Sequence, residues 1–175
     1  MKTLLLGGVK SGKSRHAEEL AVESGHAVTV IATALRGDAE MTARIQRHRQ
    51  TRPAGWRVIE EPLDLSHALQ LTIPSQDNTQ RQCVIIDCLT LWITQLLCSE
   101  LLKTEVDDVI KNFGVTVADY TNDLILVSNE TNMGVMPMDA LSRQYCDQIG
   151  RLHQTLATQV DRVTLMVAGL PLSVK

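Results

Sequence analysis

Aromatic side chains are scarce in this chain of 175 residues, which has two tryptophans, two tyrosines and one phenylalanine. Its core must therefore be built mainly from leucine, valine, isoleucine, alanine and methionine. The apolar share of 44% is nevertheless ordinary for a globular protein. A chain of this length is expected to form one domain with a sizeable core.

Long apolar runs are also missing, since no stretch approaches the 18 or so apolar residues of a membrane span. The amino-terminal residues begin like a secretory signal, but their apolar run stops at Gly7 and Gly8, and Lys10 and Lys13 follow. The net charge of −3 argues against general attraction to nucleic acid or to an anionic membrane. We therefore expect a cytoplasmic protein with no membrane span and no nucleic-acid partner.

Paired cysteine motifs are absent as well. Cys83, Cys88, Cys98 and Cys146 show no C-x-x-C spacing. Such thiols are usually buried and reduced and act as small apolar side chains, and a zinc site or a disulfide is the alternative.

Apolar runs typical of strands alternate with helical patterns along the whole chain. Strands are predicted at 2–6, 27–32, 56–59, 83–87, 123–128 and 162–168, and helices at 14–24, 38–52, 64–71, 89–102, 106–120 and 139–159. In the helix predicted at 139–159, apolar side chains recur at three- and four-residue steps and form a stripe expected to face the core, made of Leu141, Tyr145, Ile149, Leu152, Leu156 and Val160. Several strands are continuously apolar, as expected when both faces are covered. This order predicts an α/β fold, a single-domain, P-loop NTPase-like (RecA-like) mostly parallel sheet with helices on both faces over residues 1–175.

A phosphate-loop pattern follows the first predicted strand and opens the first predicted helix. It consists of Gly7, Gly8, Val9, Lys10, Ser11, Gly12, Lys13 and Ser14. Glycines let the backbone wrap a phosphate chain, and the helix N-terminus directs free N–H groups toward it. Lys13 is expected to reach the β- and γ-phosphates, and the Ser14 hydroxyl to hold Mg²⁺.

Asp87 stands at the carboxyl end of the apolar run 83–87, where phosphate-loop proteins often place an acid that holds Mg²⁺ directly or through water. The alternative is that Asp87 caps the helix predicted to follow it, and the two roles are compatible. Ligands in parallel sheets bind at the carboxyl ends of the strands. Thr33 and residues 129–133 are therefore expected beside Asp87 and the phosphate loop.

The segment 42–57 contains five arginines, one histidine and no acid, an unusual excess in an acidic protein. It is either a solvated helix face or a site for anionic phosphates, whose oxygens match guanidinium groups in pairs. His48 shares a helical face with Met41 and Ile45. It is therefore either a packed core residue or a nucleophile toward phosphorus. The four other histidines are predicted to be structural or surface residues.

Several separate segments, in this order and spacing, resemble the bifunctional adenosylcobinamide kinase / adenosylcobinamide-phosphate guanylyltransferase family nearly end to end. The histidine helix with its Arg-Pro and Trp is the distinctive part. The segments are Gly7 to Arg15, Ile31-Ala32-Thr33, Arg44 to Arg49 with Arg52-Pro53 and Trp56, Asp87 to Trp92, Ser128-Asn129-Glu130, and Val167 to Pro171.

The resemblance implies two reactions. The γ-phosphoryl group of ATP or GTP passes to a hydroxyl of adenosylcobinamide, and GMP then passes from GTP through a guanylyl-histidine to adenosylcobinamide phosphate. The histidine falls on His48. Nucleotide contacts fall on residues 7–14 and on Ala32, Thr33, Ala34, Arg49, Gln50, Thr51, Arg52, Glu60 and Asp87. Mg²⁺ is the implied cofactor, and a homo-oligomer, with a trimer as the expected form, is the implied assembly.

Glu60 is suited to accept hydrogen bonds from guanine N1–H and its 2-amino group, or it is a solvated acid after a strand.

The chain departs from the family pattern at Asn132, where glycine is common, and at Gln95, where asparagine is common. Met133, Met136 and Met138 offer adaptable apolar surface for the corrinoid, or are ordinary core or loop methionines. A single-activity metabolite kinase and a nucleotide-binding regulatory module are the alternative functions.

Overall fold

A computed structural model describes residues 1–35, 37, 53–73 and 81–175. Within these ranges seven strands form one sheet in the order β3-β2-β4-β5-β1-β6-β7. All pairs are parallel except β6 with β7. The strands are Lys2–Gly7 (β1), Ala27–Ala32 (β2), Arg57–Glu60 (β3), Gln82–Asp87 (β4), Asp123–Val127 (β5), Arg162–Val167 (β6) and Leu170–Ser173 (β7).

Five helices connect these strands in the described part of the chain. They are Lys13–Glu23 (α1), Leu65–Gln70 (α2), Leu89–Cys98 (α3), Lys103–Asp119 (α4) and Ala140–Gln159 (α5). Asp64 and Asp139, where two of the helices were predicted to begin, cap α2 and α5, and their side chains accept hydrogen bonds from the backbone N–H groups of His67 and Ser142. None of the helices in the described ranges combines the length and apolar character needed to cross a bilayer.

The sheet separates two apolar layers, which confirms the predicted architecture with helices on both faces. On one face, Ala17 and Ala21 of α1 pack over inward side chains of the central strands, including Leu5 and Ile85. On the other face, α2 to α5 cover Leu4, Ile31, Val84, Ile86, Leu124 and Leu126. Successive residues of each strand point to opposite faces, so continuous apolar runs supply both layers.

The predicted helix 89–102 is too long. Helix α3 ends at Cys98, and α4 begins at Lys103 rather than near residue 106. Asp87 does not cap α3, because Cys88 occupies the N-cap position. Gly114 lies inside α4 facing α5, and a Cβ atom there would meet the Thr155 side chain at 3.5 Å, an ordinary van der Waals distance, so the packing does not require glycine.

Three other expectations need correction or lie outside the description. Leu141, placed in the apolar stripe of α5, is 49% exposed, whereas the stripe from Ile149 onward is buried. All four cysteines are free, but Cys98 is exposed and only Cys83 is fully buried. The predicted helix 38–52 lies outside the described residues. Strand β7 was not predicted.

Trp92 belongs to the apolar layer between the sheet and helices α2 to α5, and a substitution there tests the packing of that layer. Its indole is fully buried, packs against Phe113 with ring centroids 4.8 Å apart, and donates a hydrogen bond to the Leu63 carbonyl oxygen (2.8 Å). Replacing it by phenylalanine removes both volume and the hydrogen bond. We expect Trp92→Phe to lower the free energy of unfolding by about 1–3 kcal/mol in urea titrations. Trp56→Phe, at a half-buried position, is the matched control, and an equal loss there would contradict the structural role of Trp92.

Candidate active site

The carboxyl ends of the parallel strands line up along one edge of the sheet. In the register of β3, β2 and β4, Ala32 stands beside both Glu60 and Asp87. Asp87 in turn is level with Val127 of β5, which pairs with Leu5 two residues before Gly7. Neighbouring strands lie about 4.8 Å apart, so Asp87 is roughly 10 Å and Glu60 roughly 19 Å from the line of β1.

The turn after β1 has the backbone shape of an anion-binding loop. Lys10 and Gly12 have φ values of 57° and 97°, a conformation that L side chains rarely adopt. A Cβ atom on Gly7 would lie 2.6 Å from the Met166 carbonyl oxygen and 2.7 Å from Ser11 Oγ. Glycine is therefore required at position 7, and successive N–H groups in such a turn form a concavity for anions.

Positive charge and hydrogen-bond donors converge on this loop. The buried Lys13 ammonium donates to the carbonyl oxygens of Gly7 (2.9 Å) and Gly8 (2.7 Å). Gly12 is the N-cap of α1, and no acid occupies the first turn of that helix to oppose an anion. The Ser11 hydroxyl is buried and has no hydrogen-bond partner among the described residues. A bound phosphate chain would satisfy such donors.

The neighbouring β6–β7 hairpin supports the loop, a role that the sequence patterns did not reveal. Ala168 and Gly169 both have positive φ, as a two-residue hairpin turn requires. The Gly169 N–H donates to the Ser11 carbonyl oxygen (3.0 Å), and a Cβ atom on Gly12 would lie 3.3 Å from Gly169 Cα. The turn thus packs directly against the phosphate loop. The adjacent pair Ala168-Gly169 between two apolar runs is the sequence feature that indicates this hairpin turn.

Thr33 shapes the site from within. Its hydroxyl donates to the Cys88 carbonyl oxygen (2.8 Å) and accepts from the Cys88 N–H (2.9 Å), while its own N–H donates to the Asp87 carbonyl oxygen (3.2 Å). The side chain is fully buried. Gln95 Nε2 donates to the Thr33 carbonyl oxygen, so this departure from the family pattern ties α3 to the end of β2. Through these hydrogen bonds Thr33 joins the end of β2 to the end of β4.

The end of β5 forms the other side of the loop. The Glu130 N–H donates to the Gly7 carbonyl oxygen (3.0 Å). Ser128 Oγ lies 2.7 Å from Nε2 of His153, a buried residue on α5, and burial lowers the pKa of this histidine while Glu130 opposes the shift. His153 is therefore structural, as predicted, and it supports the strand end that contacts the phosphate loop.

Asn132 has a defined place despite its departure from the family pattern. Its Nδ2 donates to the Cys146 carbonyl oxygen of α5 (2.9 Å), and its N–H donates to Glu130 Oε1 (2.8 Å). A Cβ atom on Gly150 would lie 2.8 Å from Asn132 Nδ2. The absence of a side chain at position 150 therefore makes room for the asparagine, which anchors the segment after β5 to α5.

The structure brings the phosphate loop, Thr33, Asp87 and Glu60 to one edge of the sheet. Other predicted site residues are not among those that the structure describes. His48, Arg49, Gln50, Thr51 and Arg52 lie outside the described residues, so their roles stay predictions. Glu60 is exposed and Asp87 is half-buried. No cluster of three or more His, Cys, Asp or Glu ligands forms a metal cage in the described ranges. Ser14 and Asp87 offer the oxygen ligands that Mg²⁺ accepts alongside phosphates.

A family model described as cobinamide kinase / cobinamide phosphate guanyltransferase matches residues 3–174. The chain belongs to this family. It is 49% identical over its whole length to the bifunctional adenosylcobalamin biosynthesis protein CobP of Pseudomonas aeruginosa, of which it covers 98%. It is 34% identical to the bifunctional adenosylcobalamin biosynthesis protein CobU of Salmonella typhimurium, with complete coverage of both chains. The predicted family and the predicted pair of transferase activities in cobalamin biosynthesis are confirmed.

Solved structures similar to this member of the cobinamide kinase family confirm the fold. The flagellar accessory protein FlaH of Methanocaldococcus jannaschii aligns with a TM-score of 0.53 at 13% identity, covering 99% of this chain and 77% of its own. An ATPase of a bacterial type III secretion system aligns with a TM-score of 0.55 at 9% identity, covering 98% and 57%. At these identities the likeness concerns the fold alone.

Gly169 allows the support of the loop to be tested. We expect Gly169→Ala to destabilise the protein by about 1–2 kcal/mol, because φ is 83° there. It should also weaken ATP binding several-fold, because the turn that contacts Ser11 and Gly12 must shift. The matched control is Gly25→Ala, where φ is 67° but, within the described part of the chain, no atom other than those of Gly25 and its two chain neighbours lies within 4 Å of the added carbon. Denaturant titration should show similar losses for both variants, and equal ATP affinities would contradict the role of the hairpin.

Proposed function

We propose that the edge formed by β1, β2, β3 and β4 carries both reactions of the family, one at the phosphate loop and one at His48. The observation that carries the proposal is the loop itself, where Lys13, the N-terminus of α1 and the orphaned Ser11 hydroxyl converge. Family membership supplies the acceptor, cobinamide, and the second nucleotide, GTP. We further propose that residues 1–175 form one catalytic domain.

For the kinase reaction, the loop binds the β- and γ-phosphates and Lys13 stabilises their charge. The cobinamide hydroxyl attacks the γ-phosphorus, the bond to the β,γ-bridging oxygen breaks, and the nucleoside diphosphate leaves. Ser14 and Asp87 would hold Mg²⁺, which when bound neutralises phosphate charge. Thr33 acts by holding the ends of β2 and β4 together, since its polar groups already have protein partners.

For the guanylyl transfer, a neutral imidazole nitrogen of His48 attacks the α-phosphorus of GTP and pyrophosphate leaves. A phosphate oxygen of cobinamide phosphate then attacks the same phosphorus, the P–N bond breaks, and the histidine is regenerated. Arg49 and Arg52 bind phosphate oxygens, with Gln50 and Thr51 beside them. Glu60, exposed at the end of β3, pairs with the guanine N1–H and 2-amino group, which adenine does not offer.

The assembly and location are also proposals. A homo-oligomer, with a trimer as the expected form, is supported by the family resemblance and by two exposed apolar side chains on the edge strand β7. These are Leu170 and Leu172, which are 71% and 56% exposed. A cytoplasmic location is supported by the nucleotide substrates and by four free cysteines.

Lys13 tests the shared phosphate loop. We expect Lys13→Ala to lower kcat/KM for ATP-dependent phosphorylation of cobinamide by about 100- to 1,000-fold, since a positioned cation is lost from the transferring phosphates. It should impair guanylyl transfer as well. Lys111→Ala, on the exposed side of α4, removes the same charge far from the edge and should retain wild-type rates. Loss of only one activity would mean that two separate nucleotide sites exist.

His48 tests the covalent step. Protein incubated with GTP labelled at the α-phosphate and then denatured should retain acid-labile, base-stable label, as a phosphoramidate does. His48→Ala should abolish the label and the guanylyl transfer while ATP-dependent phosphorylation of cobinamide persists. The matched control is His67→Ala, an exposed histidine of α2, which should label normally. An unlabelled wild-type protein with active kinase would favour the single-activity alternative.

A further inference from the structure

A cleft of about 330 Å³ lies between the amino-terminal half of α5 and the outer side of α3. Its walls come from both helices and from the segment that follows β5. The lining residues include Thr90, Thr94, Leu97, Thr131, Leu141 and Tyr145. None of them belongs to the phosphate loop or to the nucleotide contacts considered above.

Two hydrogen bonds link this cleft to the phosphate loop. Thr90 Oγ1 on the cleft wall accepts from the Asn129 N–H (2.7 Å), and the next residue, Glu130, donates its N–H to the Gly7 carbonyl oxygen (3.0 Å). Thr90 also lies in the first turn of α3, three residues after Asp87. One wall of the cleft therefore contacts the residues that support the phosphate loop, the loop to which an acceptor hydroxyl must come close for phosphoryl transfer.

The lining combines apolar surface with hydroxyl groups. Leu97 and Leu141 supply apolar area, while the threonines, Ser142 and Tyr145 supply groups that both donate and accept hydrogen bonds. The Tyr145 hydroxyl is sheltered from solvent and makes no hydrogen bond of good geometry in the described residues. Burial raises the pKa of this phenol, and the nearby Thr131 and Thr90 hydroxyls oppose the rise. A ligand amide entering the cleft would satisfy the hydroxyl.

An exposed apolar segment begins and ends at the rim of the cleft. Between Thr131 and Leu141, the side chains of Met133, Val135 and Met138 are 76%, 97% and 96% exposed. Exposed apolar side chains grouped in this way mark a surface that a ligand or partner covers. Methionine suits a large, irregular ligand because its side chain is flexible and polarisable.

We propose that this cleft is the acceptor site, and that it receives an amide-bearing edge of the cobinamide macrocycle while the segment 133–138 lies against the ring. The proposal rests on the proposed function, in which cobinamide is the phosphoryl acceptor. A corrin ring carries methyl groups and carboxamide side chains, the two kinds of group that the lining matches. The cleft holds only part of such a ligand, which leaves the hydroxyl-bearing arm free to extend along Thr90 toward the phosphate loop.

Two variants test the site by different means. Thr94→Trp fills the cleft from an exposed position on α3, and should raise KM for cobinamide at least about tenfold. Tyr145→Phe removes only the buried phenol hydroxyl from the cleft wall, and should raise the same KM by about 3- to 10-fold. KM for ATP, and labelling of the protein by α-labelled GTP, should stay at wild-type values in both variants. The matched control, Thr158→Trp, changes an exposed threonine near the opposite end of α5 and should alter none of these quantities.

The outcomes separate the two levels of the proposal. Wild-type KM values for cobinamide in both Thr94→Trp and Tyr145→Phe would overturn the cleft assignment while leaving the proposed function intact. Equal rises in the KM values for ATP and cobinamide would also overturn it, because they would indicate general damage to the edge. A wild-type protein that neither phosphorylates cobinamide nor takes up label would overturn the proposed function and this inference together.

Discussion

The phosphate loop depends on backbone hydrogen bonds from both neighbours of β1. On one side, the Glu130 N–H at the end of β5 donates to the Gly7 carbonyl oxygen, and on the other, the Gly169 N–H of the β6–β7 turn donates to the Ser11 carbonyl oxygen. These bonds hold a loop whose residues Lys10 and Gly12 have positive φ values. Such a conformation persists only where surrounding structure supports it, so the sheet order around β1 is a condition for phosphate binding.

The same support connects the loop to more distant parts of the molecule. His153 and Asn132 join α5 to the residues that follow β5, and Thr90 joins α3 to Asn129. Gln95 and Thr33 extend this network to the ends of β2 and β4. Helices α3 and α5 thus both position the nucleotide edge and form the cleft beside it. One set of contacts can therefore place an acceptor and a phosphate donor relative to each other.

Sequence patterns predicted those strands and helices that are determined by their own residues and immediate neighbours. The alternation of apolar runs and helices indicated a parallel sheet, and Asp64 and Asp139 marked the starts of two helices. Predictions were wrong where tertiary context decides. Helix α3 stops at Cys98 although Leu101 and Leu102 follow, and Leu141 is exposed because it lines a cleft. Strand β7 was not predicted because it is short, contains proline and is exposed throughout, so it lacks the apolar pattern of a buried strand.

The sequence by itself determined the phosphate loop, because a glycine-rich turn between a strand and a helix binds phosphate through its own backbone. It also determined the family, through motifs spread along the chain. Only the tertiary structure decided that Gly169 supports the loop, that the hydroxyl of Thr33 clamps two strands, and that Asn132 fits against Gly150. These residues are far apart in sequence, and no local periodicity records which of them meet. Their roles arise from strand order and helix packing, which bring distant backbone groups within hydrogen-bonding distance.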